Sequence, residues 1–190
     1  LYDLNRDWLP ATQPESQGRL KLYYNWRPQV VVDFHEMGRD RTYFFQPGIP
    51  SRNNPNTPEN VFNLTNKLAT YHAEALNSIG VLYYSKERFD DFYYGKGSTF
   101  PDVTGSVGIL FEQASSRGLA TSTTSGELSY TFSIKNHFNA SLGTLEVMWE
   151  MRDEFLEHQR NFYRDASKAA IQFPTKAFWR STEEKKGPLK

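Results

Sequence analysis

The amino-acid sequence predicts an α/β domain in which helices cover both faces of a mostly parallel, mixed β-sheet. Short apolar runs alternate with helix-forming segments, and the run that begins at Val30 is rich in β-branched residues, as expected of a strand covered on both faces. The 190 residues are most simply one domain, because a chain of this length can bury a substantial core. We expect residues 172–190 to be a polar, lysine-rich tail or the start of a following segment.

Composition and charge restrict the partners of the protein. Lys and Arg together number 22, and Asp and Glu also number 22, so no basic excess favours nucleic acid. No run of about 18 apolar residues is present, and we therefore predict no membrane span. Because the chain contains no Cys, a zinc site would have to use His and carboxylate ligands.

The first helix is predicted from residues 12–15, whose sequence Thr-Gln-Pro-Glu matches a capping box with proline in the first turn. It should continue to Trp26 and end before Pro28, and the strand at residues 30–34 follows. A loop rich in Gly, Pro and Asn then spans roughly residues 36–56. Loops of this length inside a compact domain usually serve a function.

Further helices and strands are predicted downstream. A helix should begin at residues 57–59 and end near Gly80, which suits a helix cap, and strands should follow at residues 81–84 and 107–111. Apolar residues at seven-residue spacing then predict one wide stripe on a single long helix that packs against the sheet. The stripe comprises Met148, Trp149, Phe155, Leu156, Phe162, Tyr163, Ala169 and Ala170.

An imidazole and a carboxylate stand at the ends of two predicted strands. His35 ends the first and Glu112 ends the strand at residues 107–111, and in an open α/β sheet such ends face the ligand cleft. Neutral imidazole is the commonest metal ligand, and a carboxylate beside apolar core has a raised pKa that suits a general base. The alternatives are a structural histidine and a buried glutamate paired with Arg6.

Asn5 and Arg6 are candidates for binding a carboxylate. The planar guanidinium of arginine suits a carboxylate, and an adjacent amide adds a further donor. Otherwise a single arginine in a loop is usually a solvated charge. We expect Arg6 to lie near the rim of the cleft that His35 and Glu112 face. His72 stands on the apolar side of its helix, and we predict that it belongs to the core.

Three segments, in this order along the chain, resemble the zinc metallocarboxypeptidase family, the carboxypeptidase A-like peptidases. They are Asp-Leu-Asn-Arg at residues 3–6, Val-Asp-Phe-His at residues 32–35 and Gly-Ile-Leu-Phe-Glu at residues 108–112. The resemblance covers roughly residues 1–172 and corresponds to the second half of the catalytic domain. It implies a partial three-layer α/β/α fold that is truncated at its N-terminal side.

The resemblance implies how a substrate would be held. Asn5 and Arg6 would bind the free carboxylate of the C-terminal residue of a peptide or protein. A mobile tyrosine upstream of the catalytic glutamate would cap the substrate. Tyr94 and Tyr93 are the candidates for this capping residue, and we name Tyr94 while leaving Tyr93 open.

The resemblance also implies a zinc-dependent reaction. His35 would be the third protein ligand of Zn²⁺, and Glu112 would deprotonate the zinc-bound water and pass the proton to the leaving amine. The other two ligands of the family come from a His-x-x-Glu motif, which occurs nowhere in this chain. We therefore expect the chain to be the C-terminal part of a larger catalytic domain. Zn²⁺ would bind in the parent protein and would not be fully coordinated by this chain alone.

Several alternatives stay open. A truncated sheet would have an exposed edge, and self-association through that edge is one alternative. The reaction could instead be the hydrolysis of N-acyl amino acids by a zinc amidohydrolase. A non-catalytic module could use the aromatic segment at residues 43–48 to bind peptides or glycans. Because proteins of this family are commonly exported, we favour a secreted or periplasmic location.

Overall fold

The computed structural model describes residues 2–173, which form a mixed four-stranded sheet with helices on both faces and a separate β-hairpin. The helices are α1 (Pro14–Trp26), α2 (Glu59–Asn77), α3 (Tyr130–Glu150) and α4 (Arg152–Gln172). The strands are β1 (Val30–Met37), β2 (Tyr43–Phe45), β3 (Tyr83–Tyr84), β4 (Val107–Ala114), β5 (Ala120–Thr123) and β6 (Gly126–Ser129). The predicted α/β class is therefore confirmed. From residue 174 onward, the predicted tail lies outside the described residues.

The sheet contains both parallel and antiparallel pairs, in the order β1-β4-β2-β3. β1 runs parallel to β4, with Val30 opposite Val107 and Met37 opposite Ala114. β2 runs antiparallel to β4 and parallel to β3. The prediction of a mixed sheet is confirmed. None of the helices within residues 2–173 is long and apolar enough to cross a membrane.

Each face of the sheet has its own apolar cluster, because successive side chains of a strand point to opposite faces. Val30 and Val32 of β1 pack against the main core, which lies between the sheet and helices α2, α3 and α4. Val31 points the other way and packs against a smaller cluster made by Trp8, Tyr23 of α1 and Phe100. The sheet is thus the middle layer between two sets of helical and loop residues.

β1 is less covered than its sequence suggests. All residues of β4 except Glu112 are buried, whereas every residue of β1 is at least partly exposed. Within residues 2–173, β1 pairs with β4 on one side and with no strand on the other. The β-branched run correctly predicted a parallel strand packed on both faces, but the outer edge of that strand is open.

The single long helix predicted near the C-terminus is wrong. Met151 has backbone angles of φ −106° and ψ 18°, and it separates α3 from α4. Because of this break, the residues of the predicted stripe belong to two helices and do not share one buried face. Phe155 is fully buried in the main core, whereas Trp149 is 74% exposed. Apolar spacing alone did not reveal the break, because Met151 is a good helix former and leaves no punctuation in the sequence.

The segment predicted as a long loop contains a central strand. Tyr43, Phe44 and Phe45 form β2, and each is at most 1% exposed. β2 lies between β4 and β3, so these aromatic side chains belong to the interior and are not available to bind a peptide or glycan. The three aromatic residues have high strand propensity, but the surrounding Gly, Pro and Asn residues outweighed this signal.

The predicted capping box at the start of α1 is also wrong. Gln13, not Thr12, occupies the N-cap position, and its side chain makes no capping hydrogen bond. Thr12 instead donates its hydroxyl to Asp7 Oδ1 at 2.8 Å, and the backbone N–H of Gln13 donates to Asp7 Oδ2 at 2.9 Å. Asp7 therefore accepts the hydrogen bonds that fix the entry to α1.

Two buried carboxyl groups belong to the segment between β3 and β4. Asp91 is 4% exposed and Asp102 is fully buried. Asp91 Oδ1 accepts a hydrogen bond from Thr99 Oγ1 at 2.9 Å, and Asp102 Oδ1 accepts one from the N–H of Gly108 at 2.8 Å. Burial raises the pKa of Asp91 to about 6, and burial together with the charge of Asp91 raises the pKa of Asp102 well above its usual range.

We expect Asp91→Asn to remove a pH-dependent loss of stability. The pKa of Asp91 is about 6 in the folded protein and about 4 in an unfolded chain, so the folded state holds the proton more tightly. The stability that results is complete below pH ~4 and disappears as the pH rises through ~6. In urea unfolding, the variant should be more stable than the unmodified protein at pH ~8, on the order of 2 kcal/mol, and no more stable at pH ~4.5.

Asp90→Asn is the matched control for this experiment. Although partial burial opposes its ionisation, Lys96 Nζ donates to Asp90 Oδ2 at 2.6 Å and lowers the pKa of Asp90. The stability from this ion pair is present at neutral pH and is lost as the pH falls, which is the opposite sign to Asp91. Asp90→Asn should therefore gain nothing at pH ~8. Parallel pH profiles for Asp91→Asn and the unmodified protein would contradict our account.

Candidate functional site

His35 and Glu112 lie side by side near the carboxyl ends of two parallel strands. His35 of β1 is directly opposite Glu112 of β4 in the strand register. Directly opposite residues project to the same face, and here it is the face on which Val31 meets the Trp8 cluster. The two candidate catalytic groups, which are distant in sequence, are therefore neighbours at one edge of the sheet.

The side-chain amide of Asn5 joins this pair to the loop before β4. Asn5 Oδ1 accepts a hydrogen bond from the N–H of Gly97 at 2.7 Å, which fixes the orientation of the amide. Asn5 Nδ2 consequently faces His35 Nε2 at 2.8 Å. Because an amide nitrogen can only donate, Nε2 of the neutral imidazole accepts, and Nδ1 carries the hydrogen in this assignment.

Asp33 is a member of the site that sequence reasoning missed. Asp33 Oδ2 lies 3.0 Å from His35 Nε2, within the range of an ion pair. With the hydrogen on Nδ1, Asp33 Oδ2 is a buried acceptor without a donor among the described residues. The hydrogen-bonding contact with Asp33, together with its negative charge, raises the pKa of His35 against the opposing effect of burial.

Gly97 permits the close approach of Asn5 and Asp33. A Cβ atom at Gly97 would lie 2.7 Å from Asp33 Oδ2 and 2.9 Å from Trp8 Nε1, both closer than real contacts allow. The Gly-Lys-Gly-Ser segment gave a turn signal in the sequence, but nothing in it indicated that one glycine would lie against a strand residue. Asp33 was missed because it lies two residues before His35, within the predicted strand, whereas site residues were expected at the strand end.

Glu112 has the environment of a weakened acid. Its side chain is partly buried, and Oε2 is a buried acceptor without a hydrogen-bond partner among residues 2–173. Burial raises the pKa of Glu112, while the positive charges near it, on His35 and Arg88, act in the opposite direction. A carboxylate with a raised pKa is suited to accept a proton from water near neutral pH.

Arg6 lies near this site and is exposed. Its Nη1 donates to the backbone oxygen of Asn5 at 2.8 Å, and its positive charge lowers the pKa of His35. The hydroxyl of Tyr93 donates to the backbone oxygen of Arg6 at 3.2 Å. The hydroxyl of Tyr94 instead contacts Thr57 Oγ1 at 3.0 Å. The structure thus brings the hydroxyl of Tyr93, rather than that of Tyr94, to the segment formed by Asn5 and Arg6.

A second guanidinium, that of Arg19 in α1, approaches the site from the side opposite the sheet. It stacks over the ring of Trp8 at 4.0 Å and donates through Nη2 to the backbone oxygen of Leu4 at 3.1 Å. Burial lowers the pKa of Arg19, whereas the nearby negative charge of Asp33 acts to raise it, so the two side chains attract each other. Nothing in the sequence of α1 distinguished Arg19 from a solvated helix residue, because its partners come from other segments.

The residues present offer part of a metal site. Within residues 2–173, no three His, Asp or Glu side chains are arranged to hold a metal ion. His35 Nδ1 makes no hydrogen bond to any described residue. Metal binding through this nitrogen would require the tautomer that carries the hydrogen on Nε2, which lies 3.0 Å from Asp33 Oδ2. Asp33 Oδ2 and Glu112 Oε2 are buried acceptors without donors. This donor set fits one imidazole ligand with acceptors beside it.

The remaining histidines lie away from this site. His72 is fully buried, contacts Thr144 Oγ1 through Nε2 at 2.9 Å, and has a pKa lowered to about 3 by burial. The prediction that His72 belongs to the core is confirmed. His137 Nδ1 contacts the hydroxyl of Tyr43 at 3.0 Å, on the other face of the sheet. His158 is buried between α2 and α4.

No protein-family model, curated protein or solved structure matches this chain.

We expect Asp33→Asn to lower the pKa of His35. The substitution removes the negative charge that favours the imidazolium, while burial, which disfavours it, is unchanged. The shift can be measured by following the imidazole resonances of His35 through a pH titration by NMR. His35→Gln identifies those resonances.

The matched control is Glu36→Gln. Glu36 is adjacent to His35 in sequence, but it points to the other face of β1, where its Oε2 accepts a hydrogen bond from Ser115 Oγ at 3.0 Å. This variant should leave the pKa of His35 nearly unchanged. An equal shift in both variants would mean that general surface charge, and not Asp33, sets the protonation of His35.

Proposed function

We propose that this chain is part of a zinc-dependent metallocarboxypeptidase, which removes the C-terminal residue of a peptide by attack of a metal-bound water. The observation that carries the proposal is the direct pairing of His35 with Glu112 on one face of the sheet, with Asn5 bonded to the same imidazole. This arrangement brings a metal-ligand type, a general base and a carboxylate-binding segment together.

Glu112 is the general base in this proposal. Its partial burial raises its pKa, and its unpartnered Oε2 can receive the proton of an attacking water and return it to the leaving amine. Bound Zn²⁺ would supply Lewis-acid activation of that water. His35 would be one ligand, and the others would come from polypeptide beyond the described residues.

Arg6 is the group that supports recognition of a free peptide C-terminus. It is exposed, and its fork-shaped guanidinium matches a carboxylate in shape and charge. Asn5 is less free than the resemblance implies, because both ends of its amide already contact Gly97 and His35. We propose that Arg6 makes the main contact with the substrate carboxylate and that Asn5 holds His35 in place. Tyr93 lies closer to this contact than Tyr94 does.

Two exposed features support the proposal that the chain is the C-terminal part of a larger catalytic domain. The outer edge of β1 pairs with no strand among residues 2–173. In addition, α3 carries exposed apolar side chains: Phe138 is 61% exposed, Leu145 is 66% exposed and Trp149 is 74% exposed. Open strand edges and large apolar surfaces are normally covered. Polypeptide of the same protein, or a second copy of the chain, would cover them.

We expect Glu112→Gln to abolish peptide hydrolysis by the full-length protein that contains this chain, assayed with bound Zn²⁺. The amide keeps the shape of the side chain but cannot accept the proton of water, so kcat should fall by about 10²–10⁴-fold. Release of the C-terminal amino acid from a peptide, followed by mass spectrometry, provides the measurement. A peptide with an amidated C-terminus should be a poor substrate, because it lacks the carboxylate that Arg6 would bind.

Glu74→Gln serves as the control, since Glu74 is an exposed carboxylate on α2 away from the site. It should leave kcat unchanged. Hydrolysis of N-acyl amino acids in preference to peptides would replace the peptidase with the zinc amidohydrolase. Full activity of Glu112→Gln would contradict both hydrolase proposals.

A further inference from the structure

Four arginines lie near the carboxyl ends of β1 and β4, beside the site already described. Arg39 and Arg41 follow β1, Arg88 follows β3, and Arg117 follows β4; we call these four residues the arginine surface. A cavity of about 410 Å³ is lined by Gly38, Asp40 and the arginines at 39, 41 and 117. An adjoining cavity of about 290 Å³ is lined in part by Arg41 and Arg88. Arg41 contributes to both cavities, so they form one continuous surface.

The positive charge of this surface is only partly balanced within residues 2–173, by Asp40, which lines both cavities, and by Glu87, which lines the smaller one. Asp40 is the acidic residue that lines the larger cavity, and both of its oxygens are engaged. Its Oδ1 accepts the N–H of Thr124 at 2.9 Å, and its Oδ2 lies 3.6 Å from Arg39 Nε. Arg41 and Arg117 form no ion pair with any described residue. Their guanidinium groups are available to a negatively charged ligand.

The backbone at two of these arginines adopts a conformation that side chains disfavour. Arg88 has φ 60° and Arg117 has φ 48°, both in the left-handed region. The loop around Arg117 is held there by its own bonds. Ser115 Oγ accepts the N–H of Arg117 at 3.3 Å and donates to Glu36 Oε2 at 3.0 Å. Such strained residues cluster at functional sites, because the surrounding structure must be built to hold them.

The arginine surface lies close enough to the proposed catalytic site for their charges to interact. Burial raises the pKa of Glu112, and the positive charge of Arg88 acts to lower it. Burial likewise raises the pKa of Tyr84, which lines the smaller cavity, and the charges of Arg88 and Arg41 act to lower it. A peptide bound with its C-terminus near Glu112 therefore has positively charged surface within reach of its other side chains.

The chemistry of this surface suits the carboxylates of a short peptide better than an extended polyanion. The planar fork of arginine binds a carboxylate through two parallel hydrogen bonds. An extended polyanion such as nucleic acid would need a basic excess, but the chain has equal numbers of acidic and basic residues. The surface consists of separate guanidinium groups around shallow cavities, which suits short acidic side chains spaced along a peptide.

We propose that the arginine surface binds the Asp or Glu side chains of an acidic peptide, and that acidic peptides are the preferred substrates of this site. The second part rests on the proposed peptidase function, whereas the first part does not. Binding of acidic peptides can therefore be tested without hydrolysis, zinc or a free C-terminus.

The test measures binding of amidated hexapeptides to the 190-residue chain by calorimetry. One peptide carries Asp at two positions and the other carries Asn at the same positions. At low ionic strength the Asp peptide should bind at least about tenfold more tightly than the Asn peptide. The difference should shrink markedly at ~0.5 M salt, since exposed charges are screened. Arg117→Ala and Arg41→Ala should each weaken binding of the Asp peptide severalfold.

Arg27→Ala is the matched control. Arg27 is exposed and left-handed at φ 46°, like Arg117, but it lies at the end of α1 before β1, at the opposite edge of the sheet. Alanine retains the Cβ atom, so both substitutions remove a charge without changing the backbone conformation required. Arg27→Ala should bind the Asp peptide as the unmodified chain does. Because Arg41 does not have a positive φ, Arg41→Ala tests the surface even if Arg117→Ala fails to fold.

Three results would overturn the proposal. Equal affinities for the Asp and Asn peptides would show that side-chain carboxylates are not recognised. An equal loss of affinity in Arg27→Ala and Arg117→Ala would indicate general charge attraction. Tight binding of inorganic phosphate without binding of the Asp peptide would assign the surface to a free anion. Binding of the Asp peptide without any hydrolysis by the full-length protein would contradict the peptidase function alone.

Discussion

The parallel pairing of β1 with β4 is the constraint on which the site depends. It places His35 opposite Glu112 and Val31 opposite Gly108, so one register decides both the chemistry and the packing. A slip of one residue would send the imidazole and the carboxylate to opposite faces of the sheet. Such a slip is costly, because Val107, Ile109 and Phe111 of β4 all point into the main core and would be turned away from it. The pairing of β1 with β4 thus fixes the position of Glu112 relative to His35.

Electrostatic balance around this pairing is incomplete in a specific way. Asp33 Oδ2 and Glu112 Oε2 are buried and have no hydrogen-bond donor among residues 2–173. His35 Nε2 lies 3.0 Å from Asp33 Oδ2 and 2.8 Å from Asn5 Nδ2. Buried acceptors of this kind are normally satisfied, since leaving them unpaired is costly. The structure therefore carries an excess of acceptors at the one edge where His35 keeps a free ring nitrogen.

Sequence patterns predicted the elements that depend on local properties. The β-branched residues at 30–32 and the apolar run before Glu112 predicted β1 and β4, and α2 was predicted from its caps and spacing. Patterns failed where the outcome depended on distant partners. β2 is short and surrounded by turn residues, and it is a strand because β4 and β3 pair with both its sides. The break at Met151 likewise has no local signal, and it sets Phe155 into the core.

The sequence by itself determined the identity of the reactive groups and the strands that end beside them. It placed an imidazole after one apolar run and a carboxylate after another, because strand formation and side-chain chemistry are properties of short segments. The tertiary structure alone decided that Asp33 and Gly97 belong to the site, that Asn5 contacts the imidazole, and that the aromatic side chains of β2 are interior. These facts depend on contacts between segments far apart in the chain, and such contacts arise only when the sheet assembles.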